Sequence, residues 1–293
     1  MKKQTPFEKF IKERLKLSRP KIGFGLLKPD KQILESLKKS KKYAEIILVG
    51  PTAIKSVKGF EKIIVKEPEK RLAEMLAKEE VDGIIRGTID DFKTLETYQS
   101  LVGKEKAKNE IELALIEDAF ERQFYISEGS NPRGWNRKEK MKQVQGVVKF
   151  MQEELGIKPK IGFLTGIRHE TYQKRKGSKK WPIKYLNETY EDAEYGVKYF
   201  KKRGLKAKNY AIELNAAAEE GCNLIVPPNG MTGNQIFRAL CLIGGGKLLT
   251  ASRANLPHPY EDNSRNEKDF ENHVKWLVAW INGQKFKKQK SKI

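Results

Sequence analysis

The chain has 293 residues and a net charge of +21, from 59 Lys or Arg against 38 Asp or Glu. Its length suits two domains or one large one, and its 38% hydrophobic content excludes a disordered chain. The sequence shows no apolar stretch near the ~18 residues of a membrane span and no secretory signal, and its two cysteines lie in apolar segments, so we expect a cytoplasmic protein without disulfides or membrane contact.

The positive charge is concentrated at both ends of the chain. Residues 1–21 carry eight Lys or Arg and two Glu, and the basic tail 284–293 carries five Lys and no acid. A third run, residues 174–180, adds five cations. A basic excess can indicate nucleic-acid binding, but no aromatic-interleaved patch accompanies these runs and Lys outnumbers Arg, which argues against nucleic acid. A solvated surface and a cleft for a polyanionic cofactor are the other interpretations.

Short apolar runs alternate with helical patterns along the chain. Strands are predicted at Lys21–Leu26, Glu45–Val49, Lys62–Val65, Gly83–Ile85, Gln123–Ile126, Lys160–Leu164, Tyr210–Leu214, Asn223–Val226 and Lys247–Thr250. Helices are predicted at Asp30–Ser40, Glu69–Lys78, Arg137–Leu155, Glu188–Arg203, Gln235–Ile243 and Asn266–Asn282, the last ending at Gly283. This alternation predicts an α/β fold with mostly parallel sheets and helices on both faces.

Two loop-like segments suggest that the chain crosses between two lobes. Gly, Pro, Asn and Ser cluster at residues 127–137, and two prolines lie within residues 252–263. We therefore expect a first lobe of residues 1–130 plus 258–293 and a second lobe of residues 131–257.

The segment 227–234 joins an apolar strand to an amphipathic helix. Thr232 and Gln235 fit a capping box, which is a purely structural interpretation. The alternative is a ligand site: Gly233 lets the backbone approach a ligand closely, and Asn234 could donate an amide hydrogen. A helix N-terminus also attracts phosphate or carboxylate.

The segment 259–265 precedes a second predicted helix. Ser264 and Glu267 again fit a capping box, but Arg265 falls in the first turn, where the helix dipole disfavours a cation. An anion bound between Arg265 and the helix end would explain it. Glu271 comes seven residues after Ser264, on the same predicted helix face, and is either a general base or an ordinary exposed carboxylate.

The strand ending at Arg86 leads into a glycine turn. Because ligands bind at the carboxyl ends of strands in open α/β sheets, Arg86, Gly87 and Thr88 are candidate site residues. A plain strand-to-helix turn capped by Thr88 or Asp90 is the alternative. The three His are scattered and the Cys spacing does not suit a metal, so no metal site is predicted.

These motifs resemble those of the phosphate acetyl/butyryl transferase superfamily. Segment 228–234 resembles its Pro-Asp-x-x-Ser/Ala-Gly-Asn motif, segment 259–265 its Pro-x-Asn-Asp-Leu-Ser-Arg motif, and segment 81–87 an upstream strand motif. Asn131–Pro132 and residues 158–161 follow the family's order, and the match covers residues 80–280. Asn229 replaces the family's Asp, and residues 89–92 replace a conserved segment. The chain is closer to a divergent methanogen branch, the methanogenesis marker protein 4 family, also called methyltransferase-related subunit X.

The resemblance implies two lobes related to isocitrate dehydrogenase, an interlobe active site and a homodimer. It places phosphate on Ser264 and Arg265 and the base on Glu271. The remaining substrate-binding positions would be Asn229, Thr232, Gly233, Asn234, Arg86, Gly87, Thr88 and Asp262. It implies a cytoplasmic transferase of an acyl or methyl group in an archaeal methanogen, with an anionic substrate. The cofactor is left open between coenzyme A and a one-carbon carrier. A non-catalytic methyltransferase subunit and nucleic-acid binding through the tails are alternatives.

Overall fold

The computed structural model describes residues 5–127 and 134–290. The chain divides into two compact units, one formed by Met1–Glu110 with Thr250–Ile293 and the other by Ile111–Leu249. The sequence placed the crossings near residues 130 and 257. The first crossing instead comes after Glu110, because residues 111–127 form a hairpin whose second strand pairs with a strand of the second unit. The motif residues Asn131 and Pro132 lie outside the described residues.

The first unit contains a mostly parallel sheet. Its strands are β1 (Lys21–Gly25), β2 (Glu45–Gly50), β3 (Glu61–Ile64), β4 (Gly83–Ile85), the part of β10 (Lys247–Ala254) from Thr250 onward, and β11 (Tyr260–Asp262). They lie in the order β3-β2-β1-β4-β11-β10, and β10 runs antiparallel to β11. The parallel pairing of β11 with β4 places the ends of both strands at the same edge of the sheet.

Helices cover both faces of this sheet. They are α1 (Pro6–Arg14), α2 (Lys31–Ser40), α3 (Pro68–Ala77), α4 (Asp91–Val102), α5 (Lys104–Ala107) and α11 (Glu271–Lys290). Gly23 lies against Leu72 of α3, whereas Gly83 lies against Leu277 of α11. Gly83 pairs with Ile22, the neighbour of Gly23, so these helices pack on opposite faces.

The second unit has its own sheet, in the order β5-β6-β9-β7-β8. Its strands are β5 (Ile111–Glu117), β6 (Gln123–Ser127), β7 (Lys160–Phe163), β8 (Lys206–Asn209) and β9 (Leu224–Val226). Its helices are α6 (Arg137–Glu153), α7 (His169–Arg175), α8 (Ile183–Lys201), α9 (Leu214–Glu219) and α10 (Gly230–Arg238), which continues as a π-helical turn, Ala239–Ile243. All its strand pairs are parallel except the β5–β6 hairpin.

The sequence predicted most of the buried parallel strands but misplaced some elements. Residues 210–214 were assigned to a strand, whereas β8 precedes them and Ala211 adopts a left-handed conformation with φ 53°. The short β11 and the strand β5 were missed. The predicted stop at Gly283 is also wrong, because α11 continues through this residue to Lys290.

Candidate functional site

Two segments of the first unit that are far apart in sequence meet at the carboxyl ends of β4 and β11. The backbone nitrogen of Gly87 donates to Oδ1 of Asn263 at 2.9 Å, and Nδ2 of Asn263 donates back to the Gly87 carbonyl at 2.9 Å. Gly87 has φ +64°, and a Cβ there would lie 2.1 Å from the Gly25 carbonyl oxygen. Only glycine therefore fits this turn. The structure thus joins two of the motifs that the sequence identified.

Asp262 lies between two buried arginines beneath these segments. Its Oδ1 accepts from Nε of Arg86 at 2.8 Å, and its Oδ2 accepts from an Nη of Arg253 at 3.1 Å. Burial alone would raise the pKa of Asp262, but the two guanidinium groups hold it below its ordinary value. Asp262 is therefore an ionised carboxylate that fixes two cations.

Arg86 is fully engaged by the protein itself. It is 2% exposed, and besides Asp262 its guanidinium donates to the carbonyls of Gly87, Ile89 and Asn263. These contacts clamp the turn after β4 to the segment after β11. Arg86 and Asp262 therefore position the site, and the direct phosphate contact expected of them would require these bonds to break.

Thr88 and Arg265 lie on the outer side of the same two segments. Oγ1 of Thr88 accepts from the backbone nitrogen of Leu27 at 2.8 Å, which ties the loop after β1 to the site. The Arg265 side chain is 71% exposed, and its nearest carboxylates are Asp90 and Asp91, each at 3.7 Å. Because exposed ion pairs of this length are weak, Arg265 can still bind an anion.

The helix expected to begin beside Ser264 starts later. Ser264 Oγ accepts from the backbone nitrogen of Asn266 at 3.3 Å, but the chain then runs irregularly to Phe270. The carboxylate of Glu267 accepts from the backbone nitrogens of Lys268 and Asp269, and these local bonds replace a capping box. The predicted cap at Ser264 is therefore wrong, and α11 begins at Glu271.

Glu271 is an ion-paired residue in the first turn of α11. Its carboxylate lies 2.7 Å from Nζ of Lys275. The hydrogen bond from Lys275 lowers the pKa of Glu271, and the positive charges of Lys275, Lys42 and Lys39 lower it further. A carboxylate with a lowered pKa is a weak proton acceptor, so these contacts disfavour Glu271 as a base.

In the second unit, the N-terminus of α10 is built around Asn229. Its Oδ1 accepts from the backbone nitrogen and Oγ1 of Thr232, at 2.9 and 3.1 Å. Its Nδ2 donates to the hydroxyl of Tyr185 at 2.6 Å. Asn229 is therefore the cap, and the predicted cap at Thr232 is wrong because Thr232 already lies in the first turn. Gly233 is buried in that turn, and Asn234 is half-buried.

Sequence reasoning missed a buried polar cluster behind the first-unit site. Glu261 accepts hydrogen bonds from Thr250 and Ser252, and Nδ1 of His273 lies 2.7 Å from it. Nε1 of Trp276 donates to Ser252 at 2.8 Å. Burial opposes charge on His273, but the hydrogen bond with Glu261 and the carboxylate of Glu267, 3.7 Å from Nε2, raise its pKa to about 9. The cluster fixes α11 to β10 and to β11, the strand that carries Asp262.

The described residues contain no group of His, Cys, Asp and Glu side chains that could hold a metal ion. Within the same residues, no helix is both long and apolar enough to cross a membrane. The first unit offers the guanidinium of Arg265 to an anion, and the second offers the positive end of α10 beside the amide and hydroxyl groups of Asn229, Thr232 and Tyr185.

Comparison with curated proteins confirms the resemblance that the motifs predicted. A protein of Methanosarcina barkeri, provisionally named methyltransferase mtx subunit X, is 29% identical over 256 residues, which cover 86% of this chain and 90% of the relative. An uncharacterized methyltransferase of Methanocaldococcus jannaschii is 24% identical over 229 residues. No protein-family model matches the chain.

Solved structures confirm the fold class. A branched-chain phosphotransacylase of Enterococcus faecalis superposes with a TM-score of 0.65 at 15% identity, covering 88% of this chain and 98% of that protein. A phosphotransacetylase of Streptococcus pyogenes gives a TM-score of 0.63 at 13% identity, with 97% and 100% covered. The chain therefore has a phosphotransacetylase-type α/β fold with a mostly parallel sheet and helices.

Proposed function

We propose that the protein is a transferase of the phosphotransacetylase type that moves an acyl or one-carbon group in methanogen metabolism. Its substrate carries phosphate or a coenzyme. The observation that supports this most directly is the junction of the two motifs in the first unit. Buried bonds hold the turn at Gly87 against Asn263, and the adjacent Arg265 remains exposed and cationic.

Each residue has a distinct role in this proposal. Arg265 and the Ser264 hydroxyl bind the phosphate, because a guanidinium matches phosphate geometry and a hydroxyl can donate to its oxygens. The turn after β4 is held in place by Arg86, Asp262 and Thr88. Within the second unit, Thr232, Gly233 and Asn234 at the positive end of α10 form a candidate anion-binding site of their own, with Asn229 as the cap.

The reaction would follow ordinary acyl-transfer chemistry. A thiolate sulfur bonds to the acyl carbon of an acyl phosphate, the bond from that carbon to the phosphate oxygen breaks, and the phosphate leaves as an anion. The exposed guanidinium of Arg265 stabilises the charge that develops on the leaving phosphate. We further propose that the protein acts in the cytoplasm as a homodimer.

Titration calorimetry of the full chain with inorganic phosphate, acetyl phosphate and coenzyme A tests the proposal. Replacing Arg265 with Ala should weaken the binding of the phosphate compounds by about tenfold or more, because charge-assisted hydrogen bonds contribute roughly 1.5–3 kcal/mol. Arg203→Ala, which removes another exposed arginine from the second unit, is the matched control and should bind normally. Equal affinities for the two variants, or no binding by the wild type, would refute the phosphate site.

A second candidate is a non-catalytic subunit of a methyltransferase. The observation that favours it is the complete engagement of Arg86 by protein acceptors, together with the ion-paired state of Glu271. Relatives carrying the name subunit X also suit this role. Affinity purification of a tagged chain from its native cells discriminates the two. A stable complex with methyltransferase subunits and no turnover favours the subunit, whereas an isolated homodimer with turnover eliminates it.

A further inference from the structure

The connection between α7 and α8 carries an unusual concentration of exposed positive charge. No acidic residue occurs between Glu170 and Glu188, and this stretch contains six cations. They are Lys174, Arg175, Lys176, Lys179, Lys180 and Lys184, and all six are exposed. Of these, Lys184 alone forms an ion pair with a carboxylate within the described residues, with Glu188 at 3.7 Å. We call residues 174–184 the basic loop.

Trp181 lies within the basic loop and is 84% exposed. Of the other three tryptophans, Trp276 and Trp280 of α11 are at most 2% exposed and Trp135 is 40% exposed. A large aromatic ring exposed among cations is accessible for stacking on a partner, with positive charge beside it. Sequence analysis found no aromatic-interleaved patch in the basic runs, but Trp181 directly follows Lys179 and Lys180 in the chain, and the exposure of its ring corrects that interpretation.

The basic loop is anchored at its base. Nδ2 of the buried Asn187 donates to the carbonyl of Arg175 at 2.8 Å, and the backbone nitrogen of Ser178 donates to the same carbonyl at 3.2 Å. The rings of Tyr172 and Tyr190 stack at 3.9 Å and hold α7 against α8. The exposed ring and the cations are therefore presented on a fixed base, which reduces the entropy lost on binding.

We propose that the basic loop binds single-stranded nucleic acid, with Trp181 stacking on a base and the flanking cations contacting phosphates. This function is separate from the proposed transferase activity. An aromatic ring among cations is the combination that sequence-tolerant single-strand binding uses. Five of the six cations are Lys, a residue depleted from protein–protein interfaces, so an acidic protein partner fits less well. Six cations also exceed what the phosphates of one nucleotide require.

Fluorescence anisotropy with a labelled oligothymidylate of about 15 nucleotides tests the proposal on the full chain. The wild type should bind with an affinity that falls steeply between about 50 and 200 mM salt. Trp181→Ala should weaken binding by about tenfold, and Trp181→Phe should restore most of the loss because it keeps a ring. Phe92→Ala removes an exposed aromatic ring from the first unit and should have no effect.

The charge contribution is tested by a matched pair of double variants. Lys179→Ala with Lys180→Ala should lower the slope of log affinity against log salt by roughly 1.4, since each phosphate contact in a single strand contributes about 0.7. Lys201→Ala with Lys202→Ala makes the same charge change at the end of α8 and should leave the slope nearly unchanged.

Three results would overturn the proposal. The first is equal loss of affinity in the two double variants, which would reflect net charge alone. The second is equal competition by a polyglutamate of similar charge, which would show that the bases are not recognised. The third is a mononucleotide that binds as tightly as the oligonucleotide, which would assign the basic loop to a small ligand.

Discussion

The buried arginines of the first unit and the cations of the basic loop in the second unit serve different purposes. In the first unit, Arg86 and Arg253 are 2% and 4% exposed and share the carboxylate of Asp262. In the second unit, the six cations of the basic loop are exposed. Of these six, Lys184 alone forms an ion pair with a carboxylate of the described residues. A buried cation must be neutralised by the protein and so becomes part of the fold, whereas an exposed one remains available to a ligand.

The strongest test of this contrast is Asp262→Asn. The change removes the carboxylate that pairs with Arg86, whereas Arg253 keeps Asp91 and Glu110 at 3.4 Å, and the free energy of unfolding should fall by about 3–5 kcal/mol. Urea unfolding followed by circular dichroism measures it. Glu80→Gln is the control, because it breaks the exposed pair with Arg71 and should cost less than about 1 kcal/mol. Similar costs for the two variants would show that burial does not separate the two kinds of cation.

The buried histidine of the first unit should make stability depend on pH. The pKa of His273 is raised from 6.5 to about 9 in the folded state, so its contribution is complete below about pH 6.5 and is lost as the pH rises through 9. The free energy of unfolding should therefore fall by roughly 3 kcal/mol between about pH 6 and pH 10. His273→Gln should remove this component of the slope, and an unchanged slope in the variant would contradict the charged pair with Glu261.

Removing the uncharged cap of α10 in the second unit should lower the stability less than removing the buried ions of the first unit. Asn229→Ala removes the cap of α10 and the hydrogen bond to Tyr185, and should cost about 1–2 kcal/mol in chemical unfolding. Asn136→Ala removes an exposed cap from α6 and should cost about 1 kcal/mol or less. The difference between these two stability losses measures the contribution of the buried hydrogen bond to Tyr185. Equal losses would mean that this bond adds nothing to the cap.

Glu271→Gln should have the smallest effect. The carboxylate forms one half-buried i,i+4 pair with Lys275, so stability should change by less than about 0.5 kcal/mol. Phosphate affinity from calorimetry should stay within about twofold of the wild type. If a transferase assay is established, a rate loss of about a hundredfold or more would restore Glu271 as a base.

The sequence by itself determined the fold class and brought forward the segments from which the candidate site is built. Continuous apolar strands alternating with helices predict a parallel sheet, because a strand buried on both faces must be apolar throughout. Because they follow the strand Gly83–Ile85 directly, Arg86–Thr88 lie at its carboxyl end. These features depend on local pattern, which is present in the linear chain.

Only the tertiary structure decided which polar groups are available. Arg86 and Arg265 are the same residue type, each in one of the two motifs, yet packing buries the first against Asp262 and leaves the second exposed. The observed helix starts differ from the predicted ones for the same reason. The side chain of Asn229 contacts Tyr185 of a helix distant in sequence, and Phe270 is packed in the core just before α11 begins. Burial and hydrogen-bond partners come from residues far apart in the chain, so local sequence does not specify them.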